Sequence, residues 1–230
     1  MATNDSQERD HIQKILDYLG EALDPSVLIG GWATFEIVGG EISKDIDLII
    51  GSDEVRQKVL DRVEQLSTSD HLQGKKWRGV VEGIHIDIYI PYQSQLGAKL
   101  RLKVEVLARH TDPVDRVGWK LLTIEAHTLT KLAAVLDRPE TEKGAKDAGE
   151  LLRLLEKGVD AAAACAILVE ATAVDPDALP EYVDTGFRHI AERSGANKAE
   201  RRMLDRLRRT WGDEIRAAID TTQPGRPVIF

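Results

Sequence analysis

Apolar residues recur along this chain with two different periods, and the change from one to the other divides it. Ile12, Ile15, Leu16, Leu19 and Leu23 are spaced by three and four, which predicts a helix over 5–23 with one apolar face. Asp24-Pro25 then marks a turn. A strand is expected at 27–29, a turn at Gly30-Gly31, a short helix from about Trp32 closed by Gly39-Gly40, and a strand at 45–50. Ser52 suits the N-cap of a further helix, whose stripe Val55, Val59, Leu60, Val63 and Leu66 runs to residue 66. The polar stretch 67–76 is expected as a loop. A strand at 80–81, a turn at Glu82-Gly83 and a strand at 84–90 follow. In that strand Ile84, Ile86, Ile88 and Ile90 share one face, and His85, Asp87 and Tyr89 share the other. Pro91 is expected to end it. Leu100, Leu102, Val104 and Val106 alternate with charged residues, predicting a half-exposed strand, and a last strand is expected over 119–124.

From residue 125 only helical periods appear. Helices are predicted near 126–138, 142–157, 159–173, 177–193 and 196–219, with an extended tail after them. The expected organisation is α+β, a mixed-sheet domain over 1–124 followed by a helical bundle over 125–230.

Composition narrows the class. Of the 230 residues, 42% are hydrophobic and 30% charged, as in ordinary globular proteins. The opening MATNDSQERDH has no basic segment and no apolar core, unlike a signal peptide, and no apolar run approaches the roughly 20 residues of a membrane helix. Cys165 is the single cysteine, so an intramolecular disulfide and a cysteine zinc cluster are excluded, and a cytoplasmic protein is expected. The net charge of −8 argues against non-specific coating of nucleic acid. Between Phe187 and Trp211, however, eight Lys or Arg stand against three acids, a local basic surface.

Candidate chemistry concentrates at a few positions. A glycine pair opening a helix presents bare N–H groups and the positive dipole end, which suit a phosphate. Asp45 and Asp47 alternate with apolar residues, so on a strand both carboxylates project from one face and can hold Mg²⁺. Asp87 adds a carboxylate on a later strand. Lys131 and Lys146-Asp147 fall on consecutive helices. Taken singly, each has a plainer explanation: a turn, a solvated strand edge, or surface helix charges.

Gly-Gly, thirteen residues, Asp-x-Asp and a later strand Asp together resemble the polymerase-beta-type nucleotidyltransferase superfamily. LTKLAAVLDR (129–138) and KDAGELLRLL (146–155) resemble the AbiEii/MenT-type nucleotidyltransferase toxins, over about residues 25–157. The resemblance implies transfer of a nucleotide from an NTP to an RNA acceptor, first of all the 3′ end of tRNA, by the toxin of a toxin–antitoxin pair, with a cognate antitoxin as partner. It implies Mg²⁺ or Mn²⁺ on Asp45 and Asp47, with Asp87 serving a second metal or the nucleophile's proton. Gly30, Gly31 and Ser43 would contact the triphosphate, Ser43 also being a potential modification site. Lys131 would meet a phosphate, and Asp147 would orient Lys131 or position nucleotide or metal. Two departures stand out: Glu41-Ile42 replaces an arginine expected before Ser43, and Glu150 replaces a second aspartate. The basic helix near 196–209 and Lys75, Lys76 and Arg78 are candidates for acceptor phosphates. Transfer to a small hydroxylated molecule, in the manner of aminoglycoside nucleotidyltransferases, and a non-catalytic nucleotide-binding or partner-binding module are the alternatives.

Overall fold

A computed structural model describes residues 10–18, 26–71, 74–113 and 119–222. The chain forms two compact units, Met1–Leu96 with Lys103–Thr123, and Gly97–Leu102 with Ile124–Phe230.

The first unit is a mixed sheet with helices on one face. Its elements are α1 (10–18), β1 (Ser26–Ile29), α2 (Gly30–Val38), β2 (Asp45–Ile49), α3 (Asp53–Leu60), β3 (Glu64–His71), β4 (Gly74–Val81) and β5 (Ile84–Leu96). After them come β6 (Leu102–Lys103), α4 (Val104–Leu107), β7 (Thr111–Pro113) and β8 (Trp119–Leu122). Strand order is β3-β4-β5-β2-β1-β8-β7. β1 is antiparallel to β2 and parallel to β8, and β2 is parallel to β5. Leu28, Ile46, Leu48, Ile86 and Ile88 are fully buried on one face, in one core with Ile12, Ile15 and Leu16 of α1, Trp32 and Ala33 of α2, and Val55 and Val59 of α3. The period-two alternation therefore sends Ile46 and Leu48 of β2 and Ile86 and Ile88 of β5 inward and leaves the aspartates on the other face.

Several expected boundaries are corrected. The glycine pair is not a turn ahead of α2 but its first two residues, with Gly30 at φ +73°, where glycine alone is at ease. Ser52 does cap α3, its hydroxyl accepting from the Val55 N–H, yet the helix stops at Leu60 rather than 66. The stretch 67–76 is expected as a loop, but its described residues, 67–71 and 74–76, lie in paired antiparallel strands: Ser67 pairs with Arg78 and Thr68 with Trp77. β3 is an edge strand whose Ser67 and Thr68 are exposed, so no hydrophobic alternation marks it. Pro91 does not end β5. Opposite β4 the register jumps from Tyr89 to Ser94, and Pro91 lies inside this bulge, where no ladder N–H is required. The strand expected at 100–106 is β6 followed by α4; Val104 and Leu107, three apart and buried, serve one helical turn.

The second unit is helical: α5 (Ile124–Asp137), α6 (Glu142–Lys157), α7 (Ala161–Ala171), α8 (Leu179–Arg193) and α9 (Lys198–Thr222). Expected starts and ends fall within about three residues of these, since caps announce them: Thr141 accepts from Gly144 N–H and Asp160 from Ala163 N–H. Residues 97–102 join this unit because Asp137, at the end of α5, accepts from the Ala98 and Lys99 N–H groups at 2.8 Å each. Gly186 lets α8 close on α5, a Cβ there lying 2.2 Å from Leu132 Cδ1. Phe187 meets Trp211 edge-on, centroids 5.5 Å apart. Cys165 is fully buried, and burial, with the nearby Glu214 charge, pushes its thiol up to about 12, consistent with a small apolar core residue. Among the described residues no helix is long and apolar enough to cross a membrane. The ends of the first predicted helix and the tail after residue 222 lie outside the described residues.

Candidate functional site

Strand register assembles the carboxylates. β2 and β5 run parallel with Asp45 opposite His85 and Asp47 opposite Asp87. Residues paired in this way point to the same side, so Asp45, Asp47 and Asp87 share one face. Asp45 and Asp47 are half-buried, whereas Asp87 is 8% exposed.

The glycines press against that face. Gly30 follows Ile29, which pairs with Asp47 across β1 and β2. A Cβ on Gly30 would stand 2.1 Å from Asp47 Oδ2, and one on Gly31 would stand 2.8 Å from Ser43 Oγ. Neither position has room for a side chain, so backbone approaches carboxylate and hydroxyl directly. Ser43 Oγ donates to the Asp45 carbonyl (3.2 Å) and accepts from the Asp45 N–H (3.3 Å), pinning the entry to β2. The N-cap residue Ile29 offers no side-chain cap to α2, and no acid lies in the helix's own first turn. Gly30, Gly31, Ser43, Asp45, Asp47 and Asp87 are thus brought together.

Two cations missing from the expected metal set complete this face. Lys76 Nζ donates to Asp87 Oδ2 at 2.7 Å, and Arg78 donates from Nε to Oδ1 (2.7 Å) and from Nη2 to Oδ2 (3.0 Å). Lys76 also lies over the Tyr89 ring, 5.3 Å from its centroid. Burial works to raise the Asp87 pKa, but the hydrogen bonds and charges of Arg78 and Lys76 outweigh it and hold the carboxyl below its ordinary range. Asp87 in turn raises the Arg78 guanidinium. Lys76 and Arg78, expected on acceptor phosphates, are engaged with Asp87. A signal for this was present: a two-residue turn at Glu82-Gly83 places Arg78 directly opposite Asp87, as the register shows.

The fit to a metal is therefore partial. Among the described residues no group of three or more His, Cys, Asp or Glu side chains is arranged to hold a metal ion. Asp45 and Asp47 supply hard oxygen donors two residues apart on one face, the type Mg²⁺ and Mn²⁺ prefer. Asp87 would join them only by releasing cations.

Lys131 and Asp147 belong to the second unit, in a set of four charges of which Lys131, Asp147 and Glu150 are buried and Arg138 is partly exposed. Lys131 is 6% exposed and donates to Glu150 Oε2 at 2.5 Å, with Asp147 Oδ1 at 3.5 Å. Arg138 donates to Asp147 Oδ2 from Nε at 2.7 Å. Glu150, whose role the sequence left open, is the nearer partner of Lys131. Asp147 and Glu150 sit three apart on the buried stripe of α6 with Leu151 and Leu154, which is why both face α5. Beside them His127 is fully buried, and burial, then the Lys131 charge, lowers its pKa to about 3.

No known protein family matches the sequence, and no curated protein matches it. Among solved structures, an antigenic nucleotidyltransferase-like protein from Paracoccidioides brasiliensis is similar over 75% of this chain and 92% of its own, at 15% identity and a TM-score of 0.40. A Thermotoga maritima CCA-adding enzyme, solved in complex with tRNA, is similar over 94% of this chain and 76% of its own, at 10% identity and a TM-score of 0.30. The residues of the sheet face, and not these overlaps, carry the functional reading.

Proposed function

We propose that this protein is a metal-dependent nucleotidyltransferase that moves a nucleotide from an NTP to an RNA acceptor, first of all the 3′ end of tRNA, as the toxin of a toxin–antitoxin pair. One observation carries the reading: Asp47, level with Asp87 on the neighbouring strand, is met by a helix N-terminus whose first residue leaves no space for a Cβ. A carboxylate pair needs no such approach to stabilise a fold. It needs one if the helix amides and the carboxylates must reach the same polyphosphate from adjoining positions.

In this reading Asp45 and Asp47 would hold Mg²⁺ or Mn²⁺, which supplies charge neutralisation at the phosphates as pyrophosphate leaves. The first-turn amides at Gly30 and Gly31 hold the phosphate oxygens, and the Ser43 hydroxyl, beside Gly31, completes that contact. Asp87 keeps Lys76 and Arg78 on the same face, where their positive charge faces the polyanion. Lys131, Asp147 and Glu150 hold α5 against α6. The closure of Asp87 by two cations also favours a second reading, a module that holds a nucleotide without turnover.

The test is incubation with Mg²⁺, each labelled NTP in turn and total tRNA, beside Asp47→Asn. Label on tRNA, reduced at least about a hundredfold in the variant, supports transfer. Label only on an added aminoglycoside set moves the acceptor to small molecules. NTP binding without label on any acceptor overturns catalysis in favour of the holding module.

A further inference from the structure

α9 carries its cations at the unfavourable end. A helix N-terminus has partial positive charge, which favours acids there and bases at the C-terminus. The first turns of α9 hold Lys198, Arg201, Arg202 and Arg206, while its last turn contains no base. The terminal amides do not offset this, because they are already capped. Asn197 Oδ1 accepts from the N–H groups of Ala199 (2.8 Å) and Glu200 (3.1 Å), and the Glu200 carboxylate accepts from the Asn197 N–H (2.6 Å).

Neighbouring arginines are held in ion pairs. Arg208 pairs with Asp184 and Asp205, Arg209 with Asp205 at 2.6 Å, and Arg188 with Asp184 at 2.8 Å. Lys198, Arg201, Arg202 and Arg206 are all exposed and pair with no carboxylate among the described residues. Lys198, Arg202 and Arg206 fall four residues apart, a straight line of like charges about 6 Å from one to the next. Arg201 stands beside them. A shallow depression of about 570 Å³ opens between Ala196, Asn197, Lys198, Arg201, Arg202 and Asp205, the one acid on its wall being held by Arg208 and Arg209.

We propose that this line is a docking surface for the sugar–phosphate backbone of an RNA. The arrangement is disfavoured in the isolated helix by mutual repulsion along the line and, at Lys198 and Arg201 in the first turn, by the dipole, and a polyanion laid along it relieves both. The step between cations is close to that between neighbouring phosphates on a strand, and three of the four are guanidinium groups, which grip phosphate oxygens with two parallel hydrogen bonds. The selection of RNA among polyanions rests on the acceptor proposed above; the surface itself rests only on its own charges.

Binding is measured by anisotropy of a labelled 20-nucleotide single-stranded RNA and of labelled tRNA, without NTP, on the Asp47→Asn protein. Transfer activity is thus irrelevant to the outcome, and failure of the transfer reading would leave this result intact. The triple variant Arg201→Gln/Arg202→Gln/Arg206→Gln in that background is expected to bind at least about tenfold more weakly near 0.1 M salt. Its slope of log affinity against log salt should be shallower by about 2, from about 0.7 for each lost single-strand phosphate contact. Its melting temperature should not fall, because a repulsive line has been removed. The paired variant Arg188→Gln/Arg209→Gln should change affinity far less. Unchanged affinity and slope in the triple variant would overturn the proposal, as would an equal loss in the paired variant. Displacement of the RNA by polyglutamate of matched charge as effectively as by unlabelled RNA would overturn the commitment to RNA and point to an acidic protein.

Discussion

Each unit of this protein gathers carboxylates and cations around one cluster, and the two clusters differ in closure. In the helical unit, Lys131 and Arg138 meet Glu150 and Asp147 one for one, and Lys131, Asp147 and Glu150 are buried. In the sheet unit, Lys76 and Arg78 both converge on Asp87, while Asp45 and Asp47 stand half-buried on the same face. A balanced, buried set has no charge left with which to recruit a ligand; its effect falls on packing specificity. The sheet face keeps two of its carboxylates partly exposed and has a helix N-terminus against it, the arrangement from which binding of a cation and a polyphosphate is proposed. Paired charge marks both places, and the balance of charge with exposure separates architecture from candidate chemistry.

The largest effect should come from opening the closed set. Lys131→Met leaves Glu150 buried without its cation and should lower stability by about 3–5 kcal/mol, read from denaturant midpoints. Lys131→Met/Glu150→Met should recover most of that loss, because Asp147 keeps Arg138. A double variant no more stable than the single one would show that the pair does more than neutralise itself.

Next in size is Gly30→Ala. It forces a side chain into a left-handed backbone position and onto Asp47 Oδ2, and should cost about 1–3 kcal/mol with loss of NTP binding. Gly31→Ala meets only the Ser43 side chain and should cost less. Equal effects from the two would deny Asp47 its special place.

The smallest effect near neutral pH concerns His127. Folding keeps it neutral down to about 3, while the unfolded chain protonates it near 6.5. Between those values the unfolded state binds the extra proton, so stability is full above about 6.5 and declines as pH falls, by at most about 1.4 kcal/mol per pH unit. His127→Gln should flatten that part of the stability curve, measured by melting at a series of pH values.

Much of the sheet face is legible in the amino-acid sequence. Alternation in DIDLI and IHIDIYI sets which side chains share a face, and capping residues set the helix starts in the second unit. Strand β3 and its pairing with β4 are not legible, because the edge strand EQLSTSDH has one apolar residue in eight and hence no hydrophobic period. Nor is the course of β5 beyond Pro91, where a bulge removes the need for the donor that proline lacks. The Arg78–Asp87 pair can be counted from the turn at Glu82-Gly83, whereas the Lys131–Glu150 contact depends on which faces of α5 and α6 meet.

The amino-acid sequence by itself determined the local facts: period, caps, the two aspartates on one side of β2, and the excess of bases near the start of α9. Those follow from backbone geometry within a few residues. Tertiary structure decided everything that joins distant segments. It set Asp47 level with Asp87, closed Asp87 with Lys76 and Arg78, pressed Gly30 against a carboxylate, and separated the ion-paired arginines of α8 and α9 from those that meet no carboxylate among the described residues. Charge and chemistry at a site depend on distances of a few ångströms between residues far apart in the chain, and only packing sets those distances.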